Sequence, residues 1–192
     1  MGKNLYGALA YNQNKVDEGG AKVLSAHLLR YPEDGRFRPD ESVRQFLEWM
    51  PNHYRTEKPV IHISLNPHPA DVLTDGQLAE IGREYMQRLG YGNQPYLVFK
   101  HEDIGRHHIH IVSLRVDSEG RKVSDKFEYR RSKEITELLE QKYGLHPAEG
   151  RKKGEEWQLK PVDVAKGDIK RQIACTLKPL LELYSFRTMG EL

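Results

Sequence analysis

The sequence predicts an α+β fold, with an antiparallel sheet and helices packed beside it. Two observations carry this. Segments with strand-like apolar patterns and segments with helical apolar spacing mix without the strict alternation of a doubly wound sheet. The clearest strand pair, PYLVFKH and HHIHIVSLRV, is nearly contiguous in the chain and reads as a hairpin.

The other elements follow in order. NLYGALAYNQNKV carries small and apolar residues at helical spacing and reads as one short helix, broken by DEGG. AKVLSAHLL is read as a strand and PEDGRFRPD as a loop. Asp40 reads as the N-cap of a helix through about Trp49, with Val43, Phe46, Leu47 and Met50 on one face and Pro51 ending it. PVIHISL is a strand bounded by prolines. Thr74 with Gln77 forms a capping box for a helix that carries Leu78, Ile81, Tyr85 and Leu89 and stops at Gly90 or Gly92. DSEGRK is a turn, and the basic segment RKVSDKFEYRRSK leads into a helix with Ile135, Leu138 and Leu139 that ends at Gly144. HPAEGRKKGEEW is a polar loop, and a last helix starts near Asp168 and is disturbed by Pro179. No domain boundary is visible. Residues 1–192 are read as a single domain, truncated from a longer chain because YSFRTMGEL stops without a turn signal.

Composition excludes several classes. Apolar residues are 38% and charged residues 30%, which suits a hydrophilic globular protein. The net charge of +2 means that nucleic-acid binding would need a local basic patch. A single cysteine, Cys175, excludes a disulfide framework and a Cys-rich zinc module and suits a reducing cytoplasm. No apolar run approaches the ~20 residues of a membrane span, so no membrane partner is expected. No G-x-x-x-x-G-K-[ST] stretch occurs, so no nucleotide cofactor is expected.

Four of the nine histidines fall in KHEDIGRHHIHIVSLRV, residues 100–116. A two- or four-residue hairpin loop within DIGR gives one register, in which His101 sits opposite His108. Opposite residues of an antiparallel pair share a face, about 5 Å apart. His110, two residues beyond His108, shares it too, and His107 points away. Leu97, Phe99, Val112 and Leu114 flank the cluster on that face. Three imidazoles suit zinc and late first-row metals and leave positions open for a substrate oxygen. Asp103 has the parity of His101 and can accept the distal N–H of a ligand histidine. His27, His53, His62, His68 and His146 have no such spacing and are read as structural.

On these residues the sequence resembles the relaxases of mobilisable plasmids and transposons, within the HUH endonuclease superfamily. His108-Ile109-His110 matches the two histidines flanking an apolar residue. His101-Glu102-Asp103 resembles the third-histidine motif of the mobilisation class. PVIHISLNP with its following helix resembles that class's second motif region, and GALAYNQNK resembles the segment bearing the catalytic tyrosine. The resemblance covers about residues 4–185. It implies an HUH-endonuclease-like sandwich, with a central sheet of about five strands and flanking helices. It implies nicking and rejoining of single-stranded DNA at a transfer origin in a bacterial cytoplasm, through a 5′-phosphotyrosine. Accessory mobilisation proteins would be partners. A divalent ion on His101, His108 and His110 would polarise the scissile phosphate: Mg or Mn, with Zn, Ni or Co as alternatives. By motif position Tyr11 is the nucleophile and Tyr6 the reserve. Asp103 is a candidate base or an orienting group.

The DNA path is expected along Arg115, Lys122, Lys126, Arg130 and Arg131, with Arg121 and Lys133 beside them and Phe127 and Tyr129 interleaved for base stacking. RKK at 151–153 is a second patch. The competing readings are a non-catalytic, metal-containing DNA-binding initiator domain and a three-histidine metal hydrolase acting on phosphoesters. A two-histidine phosphoesterase needs two H-x-[ST] motifs, and only His62-Ile63-Ser64 is present. A cupin needs an acidic ligand a few residues after H-x-H in a Gly-punctuated barrel, which IVSLRVD does not fit well.

Overall fold

A computed structural model describes residues 4–30, 32, 36–102 and 107–147. Met1–Ala148 forms one compact unit. The expected last helix, the RKK patch and the C-terminal part of the expected single domain lie outside the described residues.

Four strands form one antiparallel sheet in the order β1 (Ala21–His27), β3 (Tyr96–His101), β4 (His108–Leu114), β2 (Val60–Leu65). The α+β class and the antiparallel sheet agree with expectation. The strand count among the described residues is four rather than about five. The histidine-bearing hairpin β3–β4 sits at the centre, with β1 and β2 at the edges. Both faces of the sheet are covered, so β3 is buried along its whole length.

On one face Leu97, Phe99, Val112 and Leu114 pack with Leu5 and Leu9 of α1 (Leu5–Asp17) and Phe46 of α2 (Pro39–Trp49). On the other, Val98, Ile109 and Ile111 pack with Leu78, Ile81, Tyr85 and Met86 of α3 (Asp75–Met86) and with Ile135 and Leu139 of α4 (Glu128–Tyr143). The period-2 alternation of β3 and β4 therefore feeds two cores. Gly82 is what lets α3 lie close: a Cβ there would meet Ile109 Cδ1 at 3.2 Å and Val98 Cγ1 at 3.4 Å.

The helix ends are mostly as the sequence reads. Thr74 and Gln77 form the capping box of α3, and α3 continues as a π-helical turn over Gln87–Tyr91, through Gly90. α2 corrects one expectation. It starts at Pro39 with Arg38 as N-cap, and Asp40 lies in the first turn. Proline suits the first helical position because its φ is preset and no N–H is wasted, while Asp40 there faces the positive end of the helix dipole. Leu47 and Leu138 are exposed, so the buried stripes are narrower than expected.

Glu84 ties α3 to α4. It accepts from Arg88 Nε at 2.9 Å, from Lys142 Nζ at 2.6 Å and from Tyr143 Oη at 3.2 Å. The hydrogen bonds from Lys142 and Arg88 pull its carboxyl down to about 2. An unfolded glutamate titrates near ~4.3, so this contribution is complete above that pH and is lost as pH falls toward about 2. Glu84→Gln is expected to destabilise the fold by about 2 kcal/mol at neutral pH. In thermal melts across pH, the gap between variant and parent should close at the acid end.

Candidate metal centre

The hairpin places its histidines as the register requires. His101 lies directly opposite His108, and Phe99 opposite His110. Ring centroids are 5.3 Å apart for His101–His108, 4.3 Å for His101–His110 and 5.0 Å for His108–His110. One nitrogen from each residue lies within 4.8 Å of the others, so the three can hold a metal ion. Two nitrogens sharing a tetrahedral ion at about 2.1 Å lie roughly 3.4 Å apart, which small ring rotations reach. The donor set also fits: three imidazoles, His101 and His108 buried and His110 half-buried. His107 points away, exposed, with Nδ1 3.5 Å from a Glu102 carboxylate oxygen.

α1 covers this cluster. Asn4 caps it, its Oδ1 accepting from the Gly7 amide at 2.9 Å. Leu5 and Leu9 bury its first half in the core. At its C-terminal half the inward face turns polar, with Asn12 and Gln13 buried. Asn12 donates through Nδ2 to the Ala8 carbonyl at 2.7 Å, which turns its Oδ1 toward His101 Nε2, 2.8 Å away. An amide oxygen only accepts, so His101 carries its proton on Nε2 and its lone pair on Nδ1.

Tyr11 sits beside Asn12 and is 41% exposed. Its ring stacks over His101 with centroids 6.1 Å apart, and lies 6.4 Å from His110 and 6.5 Å from His62. Tyr6 is half exposed and makes no ring contact with the cluster among the described residues. Five residues along a helix is about 140° of rotation, so the two tyrosines leave α1 on different sides.

His62, read from sequence as structural, belongs to the site. Its Nε2 lies 2.9 Å from His110 Nδ1. Burial lowers its pKa and favours the neutral ring. Asn12 was also missed. Asp103 lies outside the described residues.

The expected DNA-binding residues lie elsewhere. Arg115 is a correction: it is 2% exposed and its guanidinium meets Glu128 at 2.6 Å and Asp125 at 3.6 Å. Its charge is committed inside the fold rather than presented on a surface. Lys122 pairs with Asp125 at 2.5 Å and Arg130 with Glu134 at 2.9 Å. Arg131 donates to the carbonyls of Ser124 and Leu89, tying α4 to the Gly90 turn. Lys126 stands 5.5 Å from the Phe127 ring centroid, and Phe127 and Tyr129 are exposed.

Among the described residues no helix is long and apolar enough to cross a membrane. No curated protein and no solved structure gives a match to the chain. The family "Relaxase: MobA/VirD2-like, nuclease domain" does match, over residues 11–145. That span opens at the tyrosine over the cluster, contains all three clustered histidines and closes just past α4. It covers well over half of the sequence, and the histidine cluster fits a nucleic-acid nicking enzyme. The chain thus belongs to the MobA/VirD2-like relaxases, and carries their nuclease domain.

Proposed function

We propose that this domain nicks and rejoins one strand of DNA at a transfer origin by tyrosine transesterification, initiating mobilisation of a plasmid or transposon. The observation that carries the reading is the Tyr11 ring stacked over His101, beside His110. It puts a partly exposed phenol next to the one three-histidine cluster found among the described residues.

Tyr11 Oη attacks the scissile phosphorus, and the bond from phosphorus to the 3′-oxygen breaks. The phenol gives up its proton and the departing 3′-oxygen takes one up. The strand stays on the enzyme as a 5′-phosphotyrosine. The phosphodiester energy is retained, so a 3′-hydroxyl can run the step backwards and rejoin the strand. Tyr6 does not share this position.

A divalent ion bound to His101, His108 and His110 would supply a Lewis acid for the phosphate oxygens. Mg or Mn would complete its shell with phosphate and water oxygens, which both prefer, whereas Zn, Ni and Co are the ions that imidazole donors suit. Asn12 holds His101 in the tautomer that ligates through Nδ1. His62 accepts from His110 Nδ1–H, which leaves His110 to ligate through Nε2. Asp103, two residues past His101, keeps the role of a further orienting carboxylate. The partners are single-stranded origin DNA and accessory mobilisation proteins in a bacterial cytoplasm, with no nucleotide cofactor.

Outer partners of metal-bound histidines set metal affinity. Asn12→Ala is expected to weaken it 10–100-fold, read by calorimetric titration of Mn²⁺ into the apo protein. Affinity equal to the parent's would remove Asn12 from the account.

Strand exchange tests the function as a whole. Two origin oligonucleotides of different lengths are mixed with enzyme and Mn²⁺, and recombined lengths are the expected product. Free 5′-phosphate ends without exchange would show a hydrolase instead. Binding with neither outcome would show an initiator-type DNA-binding domain.

A further inference from the structure

A second feature lies at the other end of β4. A cleft of about 860 Å³ opens between residues 53–58 and the turn that follows β4, lined among others by Tyr54, Arg55, Lys58, Arg115, Lys122 and Asp125. Arg115 is five residues past His110, about 17 Å at strand rise. The cleft is therefore separate from the histidine cluster.

Its charges differ from those of the expected basic patch. Lys122 and Arg115 are committed to acidic partners on the far wall. Arg55 and Lys58, on the near wall, are exposed and pair with no acidic group among the described residues. Tyr54, between the helix α2 and these two cations, is 40% exposed. Two uncommitted cations beside a presented aromatic ring are the elements that bind a nucleotide of a single strand, one on phosphate and one on the base face.

The walls are held against each other. Gly120 sits at φ +80°, and a Cβ there would come within 3.0 Å of the His53 carbonyl oxygen. The turn carries Asp117 Oδ1, which accepts from the amides of Glu119 and Arg121 at 2.9 Å. The 53–58 segment thus rests on a fixed turn rather than on solvent.

We infer that this cleft is a nucleotide seat for the single DNA strand, with Arg55 and Lys58 on the phosphates and Tyr54 stacked on a base. It rests on the proposed action on single-stranded DNA and gives that strand a second anchor away from the nick. The path runs along the 53–58 segment, where the cations have no acidic partner among the described residues, rather than along the ion-paired face of α4.

The test is binding of a labelled oligothymidylate to the full chain in EDTA, by anisotropy across a salt series. Metal-free conditions separate the seat from the chemistry. Arg55→Ala with Lys58→Ala should lower the slope of log K against log salt by about 1.4, the effect of two phosphate contacts on a single strand. Tyr54→Ala should weaken binding about fivefold or more. Arg44→Ala, a cation on α2 outside the cleft, should match the parent. Circular dichroism melts of each variant check that it is folded, and Arg55→Glu with Lys58→Glu should abolish binding.

Parent-like affinity and slope in the alanine and glutamate variants would overturn the seat, as would absence of binding by the parent. Thymidine monophosphate that displaces the oligomer at equal concentration would also overturn it, because the cleft would then take a free nucleotide. Cleft-dependent binding in EDTA, with no covalent adduct on origin DNA in a separate incubation with Mn²⁺, would leave the seat standing and retire the nuclease reading.

Discussion

Tyr11→Phe is expected to abolish covalent attachment to DNA and lower nicking by three orders of magnitude or more, the scale seen when a nucleophile is removed from a working constellation. The substitution deletes one oxygen from a ring that is 41% exposed, so packing of α1 should be unchanged. Affinity for single-stranded DNA should stay at the parent's level. That split between chemistry and binding separates a nucleophile from a packing residue. Tyr6→Phe should nick as the parent does, because Tyr6 makes no ring contact with the histidines. Gel assays of nicked product beside anisotropy measure both. Equal losses in the two variants would argue against the placement of Tyr11.

Loss of the imidazoles is the second large effect. His108→Ala is expected to lower nicking at least a hundredfold, with the same loss in the parent on adding EDTA. Mn²⁺ should restore the parent and not the variant. Metal should also stabilise the parent, by about 2.7 kcal/mol when its free concentration is a hundred times its Kd. The variant should lose most of that metal-dependent rise in Tm. The rise is a difference measured within each protein, so it is independent of any cavity left by the missing ring. A parent whose Tm ignores every divalent ion would contradict metal binding by these histidines.

The hairpin was legible because everything that fixes it is local. Two strands joined by a short loop have few registers, and an even loop length puts His101 opposite His108 whatever the rest of the fold does. The same arithmetic placed Leu97, Phe99, Val112 and Leu114 beside the cluster. His62 was illegible for the converse reason. It reaches His110 because β2 pairs with β4 so that His62 faces Val112, a register set across 50 residues of intervening chain. Parity along β2 offered only that His62 and Ser64 share a face.

Nothing in the sequence reading singled out Asn12. It is buried because α1 lies with Leu9 on the core and its next turn on the histidines, an arrangement fixed by α2 and the sheet. The signal was a polar pair, Asn12-Gln13, continuing the Leu5–Leu9 stripe. Arg115 misled in the opposite direction. It ends a strand in a basic stretch, and only the return of the chain brings Glu128 and Asp125 onto it. The N-cap was placed two residues late, at Asp40 instead of Arg38, because Pro39 can itself open the helix.

The central claim is a covalent bond between Tyr11 and DNA. Single-stranded oligonucleotides tiled across the DNA flanking the gene would be incubated with the protein and Mn²⁺ or Mg²⁺, denatured, and weighed by intact mass. The account predicts an increment equal to the fragment on the 3′ side of the nick, joined through its 5′-phosphate, mapped by peptide digestion to Tyr11 and absent in EDTA. Unmodified protein on every tile, from folded protein shown to hold metal through His101, His108 and His110, would contradict it.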